Sequence, residues 1–344
     1  MAEGGDRLPV GKLPGQLLAR LIEKYATTDP TVVVGPGVGG DAAAIDLGAT
    51  TLVVKSDPIT FASESPARYL VDVNANDLAC LGATPRWMMV TALLPEGTTE
   101  RQVESHFREL RDACIQREIS LVGGHTEVTF AVGRPILVGV LIGEVGARGL
   151  LRPGGARPGD RLLLTKAIAL EGTALVAREL GDELRGTVDP LVVERAASLL
   201  SDPGISVVPE AMALLEAGGV TALHDPTEGG LATGVRELAL AAGCGAAIDR
   251  DAVPVLPETS AIAATLGLDP LGMLASGSLL VAADPGAVEQ LVSISTLLDF
   301  RLTAIGEVTD LAGRFTLGED GVERELPPYE SDEVTRVLGK KTSA

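Results

Sequence analysis

A chain of 344 residues with 46% hydrophobic and 22% charged side chains is long enough to form two ordinary domains with real cores. Its formal net charge of −19 argues against nonspecific binding to nucleic acid or an anionic membrane surface, so a phosphorylated ligand must be held by metal or by local dipoles. Met1–Lys12 lacks the apolar run of a signal peptide and no stretch is long enough to span a bilayer, which makes a cytoplasmic location the expectation. Cys80, Cys114 and Cys244 are odd in number, widely separated and without CxxC spacing, which argues against both a disulfide framework and a structural zinc site, and each cysteine reads as a small core residue.

In chain order, Pro14–Ala26 carries Leu17, Leu18, Leu21 and Ile22 at helical spacing, and Thr31–Val34 is β-branched and strand-like. Gly35–Pro58 follows, a glycine-rich turn with Asp41 directly after it and a strand that delivers Asp57. Two carboxylates at one edge suit a hard cation such as Mg²⁺ with phosphate. Gly35-Pro36-Gly37-Val38-Gly39-Gly40 also fits the dinucleotide fingerprint G-x-G-x-x-G, the pattern of an NAD(P)-dependent oxidoreductase. Against that reading, Asp41–Thr50 is too short for the crossing helix and contains Gly48. Asp41 would also put a carboxylate where the pyrophosphate should rest.

Ser65–Gly82 reads as a helix, with Asp72 facing water and with Asn74, Asn76 and Asp77 interrupting an apolar register at a cost in desolvation, which marks a site. Trp87–Leu94 is a predicted strand and Thr99–Glu118 an amphipathic helix. Ile119–Val122 and Pro135–Val145 are further strands, so this half is α+β. Leu121–Glu127 reads as a strand entering a paired-glycine turn, where Gly123, Gly124, His125 and Thr126 could approach phosphate or ribose. Periodicity stops in the proline- and glycine-rich stretch around Arg148–Asp160, which divides residues 1–150 from 151–330.

The second unit opens with the strand Arg161–Thr165 and continues with helices near Glu171–Leu184, Pro190–Ser201 and Ser206–Ala217, then the strand Val220–Leu223. A helix with Leu231, Val235, Leu238 and Ala242 on one stripe follows the loop His224–Gly230. Strands near Ala246–Ile248, Ser278–Ala282 and Arg301–Glu307 alternate with helices at Glu258–Leu266 and Gly286–Leu297, and residues 331–344 read as a loosely held polar tail. Asp225 sits at a helix N-terminus, where it serves either as an N-cap or as a ligand. Lys166 follows a strand end, placed either to neutralise phosphate or as a surface lysine. There is no P-loop, nucleophile elbow or HExxH helix, so charge neutralisation falls to carboxylate-bound metal.

Taken in order, GGDAA at Gly39–Ala43, KSDP at Lys55–Pro58, NDLACLGATP at Asn76–Pro85, GGHTE at Gly123–Glu127, PGDRLLLTK at Pro158–Lys166 and DPTEGGL at Asp225–Leu231 resemble the AIR synthase superfamily. Among its branches the pattern is most similar to HypE, the hydrogenase maturation proteins. The resemblance implies a PurM-like two-domain fold, with an N-terminal α+β domain that forms a homodimer, a C-terminal α/β domain, and ATP with Mg²⁺ as cofactors. It further implies metal-binding roles for Asp41, Asp57, Asp77 and Asp225, catalytic roles for Asp77, Asp225 and Lys166, and nucleotide contacts for Gly39, Gly40, Asn76 and Gly123–Thr126. Phosphoryl transfer to an amide or carbonyl oxygen, with a possible maturation partner protein, is the expected activity; a non-catalytic nucleotide-binding subunit is the alternative. HypE proteins use a C-terminal cysteine, and no cysteine follows Cys244, so the expected acceptor is a small molecule or a group on another protein.

Overall fold

A computed structural model describes residues 13, 15–27, 29–37, 42–60 and 66–339. Gly39, Gly40 and Asp41 lie outside the described residues, as do positions 340–344.

The first half contains α1 (Gly15–Tyr25), β1 (Val32–Val34), β2 (Ala43–Asp46), β3 (Thr51–Ile59), α2 (Pro66–Cys80), β4 (Ala83–Pro95), α3 (Glu100–Gln116), β5 (Ser120–Thr129) and β6 (Ile136–Val145). Its six strands form one sheet in the order β1-β2-β3-β6-β4-β5, with β4 and β5 parallel and the other neighbours antiparallel. A dinucleotide fold requires a helix after the glycine turn. Strand β2 stands there, antiparallel to both β1 and β3, which removes that alternative.

Helix α2 is covered on both sides, by the sheet and by the second half, and every residue in it except Arg68 is buried. This corrects the reading of Asp72, which meets Arg117 at the end of α3 in a bidentate pair of 2.5 and 3.1 Å and does not face water. Strand β6 receives α2 by alternating leucine with glycine on one face, Leu137, Gly139, Leu141 and Gly143. A Cβ at Gly143 would lie 2.6 Å from the Thr84 carbonyl oxygen and 2.8 Å from Leu78 Cδ2, closer than packed atoms approach.

The second half contains β7 (Arg161–Thr165), α4 (Leu170–Glu179), α5 (Gly181–Leu184), α6 (Pro190–Ser198), α7 (Val208–Ala217), β8 (Val220–His224), α8 (Gly230–Ala241), β9 (Gly245–Asp249), α9 (Pro257–Leu266), β10 (Leu280–Ala283), α10 (Val288–Leu297), β11 (Leu302–Thr309), β12 (Phe315–Glu319), β13 (Val322–Glu325) and α11 (Thr335–Leu338). Its sheet has the order β13-β12-β9-β11-β7-β10-β8, so β7 lies in the interior and its central run Leu162–Leu164 is explained by burial. The hairpin β12–β13 is absent from the sequence reading. So is the anchoring after Tyr329: the Asp332 carboxylate accepts from the backbone N–H groups of Gly229, Leu274 and Val334 at 2.8, 3.2 and 2.9 Å, and Val334 is fully buried. The segment through Gly339 is therefore held from within by its polar residues. Among the described residues no helix is long and apolar enough to cross a membrane.

The fit of α2 onto β6 yields a stability prediction. Gly143→Ala should cost about 1–3 kcal/mol in urea denaturation, the range for overpacking a tight contact. Gly133→Ala, where an added Cβ meets nothing within 4 Å, serves as the control and should stay near the wild type. Equal stability in the two variants would contradict the packing described.

Candidate functional site

Residues two apart on a strand share a face, so β3 presents Lys55 and Asp57 together, and α2 crosses that face to bring Asp77. Lys55 Nζ lies 2.9 Å from Asp77 Oδ2 and 3.1 Å from Asp57 Oδ2. Lys55 is 8% and Asp77 4% exposed, whereas Asp57 at 36% opens to solvent. The Asp57 backbone N–H donates to Asn74 Oδ1 at 3.1 Å, and Asn74 Nδ2 donates to the Leu70 carbonyl at 2.8 Å, which ties β3 to α2 beside the charges. The sequence reading passed over Lys55. Its signal was present in KSDP, where a lysine two before an aspartate in a strand must lie on the same side.

One turn further along α2, Cys80 Sγ donates to Asp225 Oδ1 at 3.4 Å. Asp225 is buried in the loop between β8 and α8, beside His224, whose Nε2 lies 3.0 Å from Glu237 Oε2. Cys80 is thus part of the polar contact between the halves, not only a core residue. Cys114 keeps that plainer role, its thiol pushed up to about 11 by burial. Asp41 lies outside the described residues, so the expected set of Asp41, Asp57, Asp77 and Asp225 is not seen whole; among the described residues no group of three or more His, Cys, Asp or Glu side chains is placed to hold a metal. Like charges separate unless a cation joins them, and here an ammonium joins Asp57 to Asp77 while a thiol meets Asp225. Asp57 and Asp77 remain oxygen donors of the kind a hard cation takes.

Asn76 and Lys166 converge on one short segment. Asn76 is fully buried; its Nδ2 donates to the Ile205 carbonyl and its Oδ1 accepts from the Val207 N–H, both at 2.8 Å. Lys166, at the end of β7 with φ of 53°, donates to the Ser206 carbonyl at 2.5 Å and pairs with Glu210 Oε1 at 2.8 Å. It is not a surface lysine.

The GGHTE motif is strand and not turn. β5 runs through it at the sheet edge with Ser120–Val128 exposed, and its pairing slips so that Leu121 faces Met88 while Gly123 faces Met89. That bulge needs the glycines: Gly124 has φ of 147°, and a Cβ there would lie 1.9 Å from the Val90 carbonyl oxygen. Gly123, Gly124, His125 and Thr126 line a cleft of about 260 Å³ with Phe107 and Leu110 of α3, and His125 Nε2 lies 3.1 Å from Glu127 Oε2. Strands β6 and β4 lie between β5 and β3 in the sheet, so within one chain these residues do not join Lys55, Asp57 and Asp77.

Near the Asp225 loop, burial pushes Glu171 up to about 7, and the carboxylates of Asp332 and Glu228 act in the same direction. Burial likewise raises Asp332 to about 6, against three backbone hydrogen bonds that lower it.

Two predictions follow from these charges. Lys55→Met leaves the buried Asp77 carboxylate without its ammonium and should cost about 3–5 kcal/mol in denaturation, far more than Lys55→Arg; equal losses would contradict the pairing. Glu171 binds its proton more tightly folded than unfolded, so its stabilisation is full below the ordinary glutamate value near 4.5 and is lost as pH rises through about 7. Glu171→Gln should therefore gain on the wild type between pH 5 and 8, by on the order of 1–3 kcal/mol. A pH-independent difference would contradict the assignment.

Comparison with known proteins places this geometry. Residues 39–145 match the N-terminal domain of the AIR synthase related proteins and residues 157–317 their C-terminal domain. The chain is 30% identical to the carbamoyl dehydratase HypE of Cupriavidus necator, over 73% of this chain and 71% of that one. Among solved structures it is similar to Escherichia coli HypE, with a TM-score of 0.72 and 26% identity over 93% of this chain and 99% of that one. It is similar also to the hydrogenase maturation protein HypE in complex with ATP, with a TM-score of 0.71 and 25% identity over 92% and 95%. With both halves matched and an α+β fold shared along nearly its whole length, the chain belongs to the AIR synthase related family, as a HypE-like member.

Proposed function

We propose that this protein is an ATP-using enzyme that transfers the γ-phosphoryl group to an amide or carbonyl oxygen of a small molecule, or of a group carried by another protein. The observation that carries this reading is the Lys55 ammonium held between Asp57 and Asp77 at the end of α2 that meets the Asp225 loop. The likeness to HypE supports it, since a HypE structure binds ATP and a HypE relative is a carbamoyl dehydratase.

Phosphoryl transfer asks a protein chiefly for positioning and for positive charge near the transferred group. Lys55, fixed by two carboxylates, is a positive charge that needs no reorganisation during reaction. Asp57 is the more open carboxylate and Asp77 the more buried, so Asp57 is the one that meets ligand while Asp77 holds the lysine in place. Asp225, hydrogen-bonded to Cys80, presents a second carboxylate from the other half, suited to orient an acceptor. Magnesium carried with the nucleotide would be held by Asp57 and Asp77 and would supply charge neutralisation on the phosphates.

A second copy of the chain completes this picture. Among the described residues the β5 edge is unpaired on one side, and it exposes Leu121, Val122 and Val128 with Phe130 just beyond, so pairing with another β5 would cover apolar surface. A homodimer formed this way brings Gly123–Thr126 of one chain towards the other. Light scattering should give about twice the 35.4 kDa chain mass, and Val128→Lys with Phe130→Lys should give monomer; a wild-type monomer would remove the shared arrangement.

For the activity itself, calorimetry should detect ATP binding and an enzymatic assay slow release of ADP. Asp57→Asn should weaken ATP by about tenfold, or about 1.4 kcal/mol, with the fold retained. Unchanged affinity in both Asp57→Asn and Asp77→Asn would sink the site, and ATP binding with no ADP release under any acceptor would favour a non-catalytic subunit.

A further inference from the structure

The amide of Asn76 is the most constrained polar group on α2 that the proposed chemistry leaves without a task. It is fully buried, and both of its ends are engaged by the backbone of a distant segment: Nδ2 donates to the Ile205 carbonyl and Oδ1 accepts from the Val207 N–H, each at 2.8 Å. A side-chain amide used in this way imitates one rung of a β-ladder and fixes both the distance and the register of the chain it holds. The residue between these two contacts is gripped from the other side, where Lys166 donates to the Ser206 carbonyl and pairs with Glu210 in the first turn of α7.

Three consecutive residues, Ile205, Ser206 and Val207, are thus fixed by a side chain from each half. The next residue along α2 is Asp77, paired with Lys55, and the one a turn beyond Asn76 is Cys80, in contact with Asp225. A slip at Asn76 would shift α2 relative to α7 and move the Asp225 loop relative to Asp77. Apolar packing between the halves, where Ala79, Val207, Ala211 and Leu214 belong to one buried cluster, resists the slip weakly because it is non-directional.

We propose that Asn76 is a positioning residue that sets the register of the two halves across the candidate site and makes no contact with the nucleotide. The inference rests on the proposed function for its catalytic consequence, while the clip itself is a statement about the folded chain alone. Loss of either hydrogen bond leaves a buried backbone group unsatisfied, so the cost falls on geometry between the halves rather than on ATP affinity.

The test uses Asn76→Leu, which keeps the shape of the side chain and removes both the acceptor for Val207 and the donor to the Ile205 carbonyl, with Asn76→Ser as the second variant should the first fail to fold. Calorimetry with Mg-ATP should give a dissociation constant within about threefold of the wild type, while the turnover number falls by about tenfold or more. Amide hydrogen exchange, run with no nucleotide, should show Val207 protected in the wild type and released by about tenfold or more in the variants. A Val207 amide that exchanges freely in the wild type would overturn the clip, with no variant required. Tenfold weaker ATP with Val207 still protected would overturn the proposal in favour of a nucleotide ligand. Unchanged turnover per folded molecule would overturn it in favour of a purely structural role. Failure of the wild type to bind ATP would count against the proposed function and with it the catalytic consequence, and the exchange result would still decide the clip.

Discussion

Helix α2 is buried on both faces and nevertheless carries Asp72, Asn74, Asn76 and Asp77, so the placement of those four side chains governs how the helix is seated against the first sheet, α3 and the second half. A buried polar group that lacks a partner costs on the order of 1–3 kcal/mol, and a buried unpaired charge costs more. Each of the four therefore pulls a different element into position: Asp72 takes Arg117 from the end of α3, Asn74 takes the backbone of β3, Asn76 takes residues 205 and 207, and Asp77 takes Lys55. Apolar packing against β6 brings the helix close, but leucine and alanine surfaces tolerate sliding. The polar contacts remove that freedom.

The strongly acidic chain makes the position of its positive charges informative. Lys55 is buried between two carboxylates, Lys166 is held by Glu210, and neither is a freely moving surface cation. In such an environment a fixed ammonium acts at short range with little solvent screening, whereas the overall negative charge repels phosphate at long range. A phosphorylated ligand would thus be admitted by local geometry and not by bulk attraction. The contact between Cys80 and Asp225 adds a neutral donor at the meeting point of the halves.

Much of this was legible in the sequence, because strands and helices with clear periodicity declare themselves. The stripe Leu231, Val235, Leu238 of α8 and the β-branched β3 both correspond to real features of the chain. The family resemblance was legible because its motifs are short contiguous runs: KSDP within β3, NDLACLGATP from the end of α2 into β4, GGHTE within β5 and DPTEGGL from the loop after β8 into α8. What escaped depends on long-range partners. Asp72 looks solvent-facing until Arg117, forty-five positions away, is folded against it. Asp332 looks like part of a polar tail until the N–H groups of Gly229 and Leu274 arrive. GGHTE has turn composition, yet its glycines serve a bulge that only the pairing with β4 explains. The sequence pointed to Asp57 and Asp77 but not to Lys55, the lysine that these two carboxylates share.

The central claim is that one site is assembled from both halves around the end of α2. Hydrogen exchange along the whole chain, with and without Mg-ATP, tests it most directly. The account predicts added protection in 52–59 and 74–81 together with 225–230 on nucleotide binding. Protection confined to one half, or appearing without those segments, would contradict it.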